Sequence, residues 1–201
     1  SVVRLGSPQG DPWGPDLVGL FVGSEGMFGI ATEITVRLEP LPTSVRTMLA
    51  DFPTVRAASE AVSSIIAAGI VPAALEMMDR ACVAAVEASI YAAGYPTDAA
   101  AVLLVELDGQ HDAVEGEAKT VADILRARGA RDVRSASSPS DRARLWQGRK
   151  KAFGAMGRIA PDLAVQDAVV PRSALPDIMD RIAEIRDRHA LQISNVFHAG
   201  D

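Results

Sequence analysis

Apolar residues recur at every second position from Ile30 to Leu38, with Ile30, Thr32, Ile34, Val36 and Leu38 on one face and Ala31, Glu33, Thr35 and Arg37 on the other. That period predicts a strand with one buried face. Directly before it, Gly23, Gly26 and Gly29 repeat every third residue, which predicts a tight turn whose backbone reaches conformations closed to other residues. Ahead of the turn, Val2 to Leu5 reads as a short strand, and Asp16 as the N-cap of a single helical turn over Leu17 to Phe21. Pro40 and Pro42 then make a stiff linker that neither a ladder nor a helix can cross cleanly. A domain boundary is placed there, dividing 1–40 from 41–201.

Beyond the linker, strands and helices alternate. Strands are predicted at 45–52, 73–78, 101–107, 133–135, 163–170 and 192–198, and helices at 55–68, 80–93, 112–128, 140–156 and 175–189. Gly69, Gly94 and Gly129 stand where helix C-termini want a left-handed residue. Such alternation ordinarily argues for a parallel, doubly wound sheet. Strand 45–52, however, carries Arg46 and Asp51 within its apolar run, and the helices are amphipathic, so the expectation is an α+β fold with an antiparallel sheet that keeps one face open.

Composition then narrows the function classes. The 201 residues are 48% hydrophobic and 23% charged, enough for a substantial core. A net charge of -6 argues against nucleic acid or an anionic membrane as the partner, so no nucleic-acid partner is expected. One cysteine, Cys82, permits neither an intrachain disulfide nor an iron–sulfur cluster, and its place among Val83, Val86 and Ile90 reads as an inert buried thiol. No apolar run is long enough for a transmembrane segment, and the N-terminus lacks a signal pattern, so the expected location is cytoplasmic, or peripheral to the inner membrane through a partner.

The glycine turn is neither a dinucleotide fingerprint nor a P-loop, because a strand rather than a helix follows it and no Lys-Ser/Thr pair is present. On residues alone it is turn punctuation. Arg149 lies in a basic helical run, Arg142 to Lys151, whose plain reading is a solvated face, although an arginine fork also matches a carboxylate. His198 closes a strand and on its own reads as a loop histidine. Glu76 interrupts an apolar strand, where it either points to solvent or faces a cleft. His111 and His189 read as exposed or capping residues.

Four stretches together carry a resemblance: Leu20 to Glu33 (LFVGSEGMFGIATE), Leu75 to Asp79 (LEMMD), Leu145 to Phe153 (LWQGRKKAF) and Asn195 to Asp201 (NVFHAGD). They resemble the FAD-linked oxidases of the vanillyl-alcohol-oxidase superfamily, in the branch that oxidises 2-hydroxy acids of glycolate or D-lactate type. The resemblance implies a ferredoxin-like antiparallel cap domain with helices on one side, preceded by the last strands of a PCMH-type FAD-binding domain, and hence a fragment of a longer flavoprotein. It implies FAD contacts at Ser24, Glu25, Gly26, Gly29 and Ile30, and catalytic roles for Arg149, as the substrate-carboxylate ligand, and His198. Phe153 replaces the hydroxyl-bearing residue of hydroxyglutarate-type relatives, which points away from a dicarboxylate substrate.

In the family, this histidine opens an H-x(6)-H site that, with a later Glu, holds a divalent metal in the intact protein. Only His198 of that set is present, so the metal site is incomplete and no metal is expected on residues 1–201. An iron–sulfur subunit is implied as electron acceptor. The alternative is a non-catalytic ferredoxin-like module that binds a ligand or another subunit. Strand 30–38, lacking sheet neighbours, is expected to pair with Val2 to Leu5, to become disordered, or to form a homodimer through its edge. Purified residues 1–201 are expected to be colourless, with no flavin absorbance near about 450 nm; a stoichiometrically yellow preparation would overturn that expectation.

Overall fold

The computed structural model describes residues 2–7 and 14–199, and the chain divides into two units, Ser1–Leu41 and Pro42–Asp201. In the first unit, α1 (Leu17–Phe21) forms where Asp16 caps it, accepting a 2.7 Å bond from the Gly19 N–H. The glycine turn follows. Gly23, Glu25 and Gly26 all take positive φ, at 77°, 50° and 82°, closed by bonds from Ser24 N to Phe21 O and from Met27 N to Ser24 O.

The strands expected at Val2 to Leu5 and Ile30 to Leu38 are not formed, nor does either pair with the other. A period-two pattern states which face would be buried, but a strand exists only where a neighbour takes its backbone donors and acceptors. Among the described residues no segment supplies that neighbour, and Ile30 and Leu38 stand 89% and 86% exposed. The expected "last strands" before the cap are therefore irregular chain here.

The second unit is built on β1 (Ser44–Phe52), α2 (Val55–Ala67), β2 (Ala74–Asp79), α3 (Arg80–Glu87), β3 (Ala101–Gly109), α4 (His111–Ala127), β4 (Asp132–Ser135), α5 (Pro139–Lys150), α6 (Ala152–Ala155), α7 (Leu175–His189) and β5 (Val196–His198). The strands lie in the order β4-β1-β3-β2-β5, every pair antiparallel. The order β4-β1-β3-β2 interleaves two strand–helix–strand halves, which is the ferredoxin-like arrangement expected, with β5 added beside β2.

Several predicted elements are shorter. The helix expected to reach residue 93 stops at Glu87, whose carboxylate folds back to accept from the N–H groups of Ala93, Gly94 and Tyr95. The helix expected over 140–156 breaks at Lys151. Strand 192–198 contracts to Val196–His198, and 163–170 forms no strand, leaving Val165 and Val169 exposed.

Strand alternation sends Met48, Ala50, Phe52, Leu75, Met77, Leu103, Val105 and Leu107 to one face, where they meet α2, α4 and α7. Those helices are the one-sided cover that was expected. The opposite face is not bare, however. Leu49, Met78, Val102 and Leu104 are apolar there, and α3, α5 and α6 bury them with Cys82, Val86, Leu145 and Ala152. Leaving those apolar side chains in water is unfavourable, and the helices bury their own apolar residues in the same layer.

Helix α5 lacks an apolar face, burying only Leu145 and Gly148, so its position rests on directional contacts. The Tyr95 hydroxyl donates to the Leu145 carbonyl. Arg142 and Trp146 donate to Glu106 on β3. Gly148 allows the helix to sit against Ala93 and Tyr95, where an added Cβ would come within 2.8 Å of both side chains. Burial alone would raise the Glu106 carboxyl, but the bonds from Arg142, Thr47 and Trp146 outweigh it and hold the group below the ordinary carboxylate range.

Two outcomes follow for α5. Gly148→Ala is expected to cost about 1–3 kcal/mol by overpacking, despite alanine's better helix propensity, measured by urea denaturation. Because the folded-state value of Glu106 is depressed, its stabilising contribution is present above the unfolded value of about 4.3 and is lost as pH falls through the folded one. Acid unfolding followed by circular dichroism should therefore show a shallower loss of stability as pH falls below about 4.3 in Glu106→Gln than in the parent.

Candidate functional site

The site is the polar part of the second sheet face. Alternation along β2 places Glu76 on the same side as Met78, and the register sets Glu76 opposite His198 of β5. On α5, Arg142, Trp146 and Arg149 are spaced four and three residues apart, which puts all three on one side of the helix, facing the sheet. Arg149 donates from Nε to one oxygen of Glu76, Oε2, at 2.8 Å, and its Nη2 lies 2.5 Å from the same oxygen as an ion pair. The other oxygen, Oε1, lies 3.1 Å from Nδ1 of His198. The two candidate catalytic residues are thus brought together, with Glu76 as the bridge between them. Glu76 is not the solvent-directed residue of its plainer reading, for its side chain is only 13% exposed, while His198 is 56% exposed.

Beside this triad, Glu106 accepts from Thr47 Oγ1 at 2.5 Å, from Trp146 Nε1 at 2.6 Å, and from Arg142 Nε and Nη2 at 2.9 and 2.7 Å. Sequence reasoning did not single out Glu106 or Thr47. The available signal was the spacing of Arg142, Trp146 and Arg149, which marks a helix face needing acidic partners.

His198 is held in place through the start of its strand. Asp79 accepts from both N and Nδ2 of Asn195 at 2.8 Å, and its own N–H donates to the Asn195 carbonyl. Ala199 N closes the other end on the Leu75 carbonyl at 2.7 Å. The same Asp79 carboxylate caps α3 at the Cys82 N–H, and burial pushes its carboxyl above the usual range against those hydrogen bonds. Burial also pushes the Cys82 thiol up to about 12, which leaves it protonated and unreactive.

A carboxylate accepts hydrogen bonds and does not donate them, so Nδ1 of His198 carries the hydrogen in its contact with Glu76. Chemically, the arrangement sets a guanidinium that suits an anion beside an imidazole, both oriented by one shared carboxylate. A catalytic divalent metal takes about three protein ligands, and no group of three or more His, Cys, Asp or Glu converges among the described residues.

The remaining expected residues, Ser24, Glu25, Gly26, Gly29 and Ile30, belong to the first unit. Gly26 and Gly29 have φ of 82° and 156°, and a Cβ at Gly26 would meet nothing within 4 Å, so conformation rather than crowding requires glycine there. Residues 25–30 of the turn are exposed. No helix among the described residues is long and apolar enough to cross a membrane.

Comparison with known proteins gives this geometry its context. The chain is 50% identical over 199 residues to "Glycolate oxidase subunit GlcD" of Escherichia coli (strain K12), covering 99% of this chain and 40% of that protein. It is 38% identical over 201 residues to "Glycolate oxidase subunit GlcD" of Bacillus subtilis (strain 168), covering 43% of it. Against "D-lactate dehydrogenase [cytochrome], mitochondrial" of Arabidopsis thaliana it is 30% identical over 190 residues, covering 94% of this chain and 33% of that one. The chain therefore spans less than half the length of the curated relatives it matches.

Among solved structures, alkyldihydroxyacetonephosphate synthase superposes with a TM-score of 0.69 at 18% identity, over 94% of this chain and 40% of that one. p-Cresol methylhydroxylase superposes at 0.56 and 16% identity, over 73% of this chain and 34% of that one. At such identities these two establish the fold alone. Residues 41–201 match the family described as FAD linked oxidases, C-terminal domain, and the chain belongs to that family.

Proposed function

We propose that the intact protein is a flavin-dependent oxidoreductase that oxidises a small 2-hydroxy acid, of the glycolate or D-lactate type, to the 2-oxo acid. The observation that carries this reading is the joining of Arg149 and His198 through Glu76 on one sheet face of an FAD-linked oxidase domain. Glycolate and D-lactate share a carboxylate beside a secondary or primary alcohol, and the pair offers one group for each.

Arg149 binds the substrate carboxylate. Its hydrogen bond to Glu76 uses Nε, with Nη2 in ion-pair contact, so the edge that carries Nη1 is the one offered to an incoming anion. His198 accepts the hydroxyl proton at Nε2, while Glu76 holds the ring by Nδ1 and stabilises the imidazolium that forms. FAD, when bound, supplies the two-electron acceptor for the α-hydrogen and its electron pair. Ser24, Glu25, Gly26, Gly29 and Ile30 contact it through the backbone of the turn. Reoxidation is assigned to a separate iron–sulfur subunit; within residues 1–201 the single cysteine, Cys82, offers no set of cluster ligands. The word "subunit" in the names of the Escherichia coli and Bacillus subtilis relatives supports a partner.

The test is anaerobic flavin bleaching in the full-length protein across a panel of 2-hydroxy acids. Glycolate or D-lactate is expected to bleach the parent. Arg149→Lys, which keeps the charge and loses the fork, is expected to lower kcat/KM by roughly ten- to hundredfold, equivalent to about 1.5–3 kcal/mol for a charged hydrogen bond. Unchanged turnover in that variant would remove Arg149 from the role.

A further inference from the structure

We propose that Asn195 is a positioning residue for the reaction: clasped by Asp79, it fixes where the His198 ring stands, and so sets the rate of proton transfer without taking part in binding the substrate carboxylate. This inference rests on the functional reading above. His198 is the last residue of β5, which is three residues long and lies at the end of the sheet, with β2 as its one strand neighbour among the described residues. Its side chain is 56% exposed, so beyond the contact with Glu76 little packing holds the ring. The place of the imidazole therefore depends on how firmly the two ends of β5 are tied down.

The downstream end is tied by the Ala199 N–H, which donates to the Leu75 carbonyl at 2.7 Å. Upstream, the backbone N–H and Nδ2 of Asn195 both donate to Oδ2 of Asp79 at 2.8 Å, and the Asp79 N–H donates in return to the Asn195 carbonyl at 3.1 Å. The amide thus adds a directed bond to a strand too short to hold itself by its ladder alone. The other oxygen of Asp79, Oδ1, accepts from the Cys82 N–H at 2.9 Å and so serves α3. Its two duties are divided between its oxygens, and a change at Asn195 reaches only the one that faces β5.

Arg149 is touched by none of these bonds. It stands on α5 and meets the sheet at Glu76 of β2, while α5 itself is fastened through Arg142 and Trp146 to Glu106 of β3. Loosening β5 displaces the imidazole and leaves the guanidinium where it is. A positioning role and a general structural role therefore separate: the first slows the chemical step at unchanged substrate binding, and the second degrades both. Small displacements suffice, since a misplacement of about 1 Å can cost about a hundredfold in rate.

The experiment uses the full-length flavoprotein, reduced anaerobically in a stopped-flow spectrophotometer by glycolate or D-lactate, whichever bleaches the parent faster. The limiting rate of bleaching reports the chemical step, and the half-saturating concentration reports binding. Asn195→Ala keeps the backbone bonds to Asp79 and removes the amide. It is expected to lower the limiting rate by roughly five- to fiftyfold, with half-saturation changed by less than about twofold. Asn195→Asp, which keeps the size and sets a second carboxylate against Asp79, is expected to be slower still. Asn195→Ser, whose hydroxyl can again donate, is expected to recover part of the loss. Arg149→Lys is the contrast, raising the half-saturating concentration.

If Asn195→Ala bleaches at the parental rate, or if its rate and half-saturation worsen in proportion, the proposal is overturned. An Asn195→Asp protein no slower than Asn195→Ala overturns it as well. Should Asn195→Ala fail to fold, Asn195→Ser decides: a rate below the parent's at parental half-saturation sustains the proposal, and a parental rate sinks it. A parent whose flavin no 2-hydroxy acid reduces instead refutes the functional reading on which the proposal stands.

Discussion

Helix α5 lacks an apolar stripe and buries only Leu145 and Gly148, so the hydrophobic effect holds it to the sheet at one point and does not fix its orientation. What holds it are carboxylates standing up from the sheet, Glu106 under Arg142 and Trp146, and Glu76 under Arg149. Each is a charge taken largely out of water, which is costly unless the carboxylate oxygens are well supplied with donors. Glu106 meets that condition with donors from β1 and α5, and Glu76 with donors from α5 and β5. The polar face is therefore assembled by satisfying buried acids, and the geometry of the candidate site is the geometry of that satisfaction.

This explains why the two halves of the second sheet face look so different. Where Leu49, Met78, Val102 and Leu104 project, ordinary burial beneath α3, α5 and α6 suffices, and the chemistry there is inert, as the protonated thiol of Cys82 illustrates. Where Thr47, Glu76 and Glu106 project, packing is replaced by hydrogen bonds, and the surface stays open enough for His198 to be half exposed. One sheet face thus carries a foundation and a working surface side by side.

The legible parts of the sequence were those set by local rules. Period-two runs bounded by glycine and proline located β1, β2 and β3, the Asp16 cap located α1, and the charged positions in 45–52 pointed to an antiparallel sheet. The same rules failed at Ile30 to Leu38 and at 163–170, because alternation describes a strand's faces and says nothing about whether a neighbour exists. Arg149 and His198 were found through motif resemblance. Glu106 and Thr47 were not, since they meet α5 only through the register of β1 against β3, and no local pattern encodes that register. Glu76 was visible as an anomaly, an acid in an apolar strand, but its partners lie 73 and 122 positions away in the chain.

Asp79 has a consequence for how this domain can change over time. One carboxylate both starts α3 and ties down Asn195, three residues before His198. The helix that seals the inert half and the strand that bears the imidazole therefore share a single fastening. Drift at that position cannot be tolerated piecemeal: a replacement that suits the helix alone frees the strand, and one that suits the strand alone uncaps the helix. A single replacement at position 79 is accordingly felt in the buried layer and at the imidazole together.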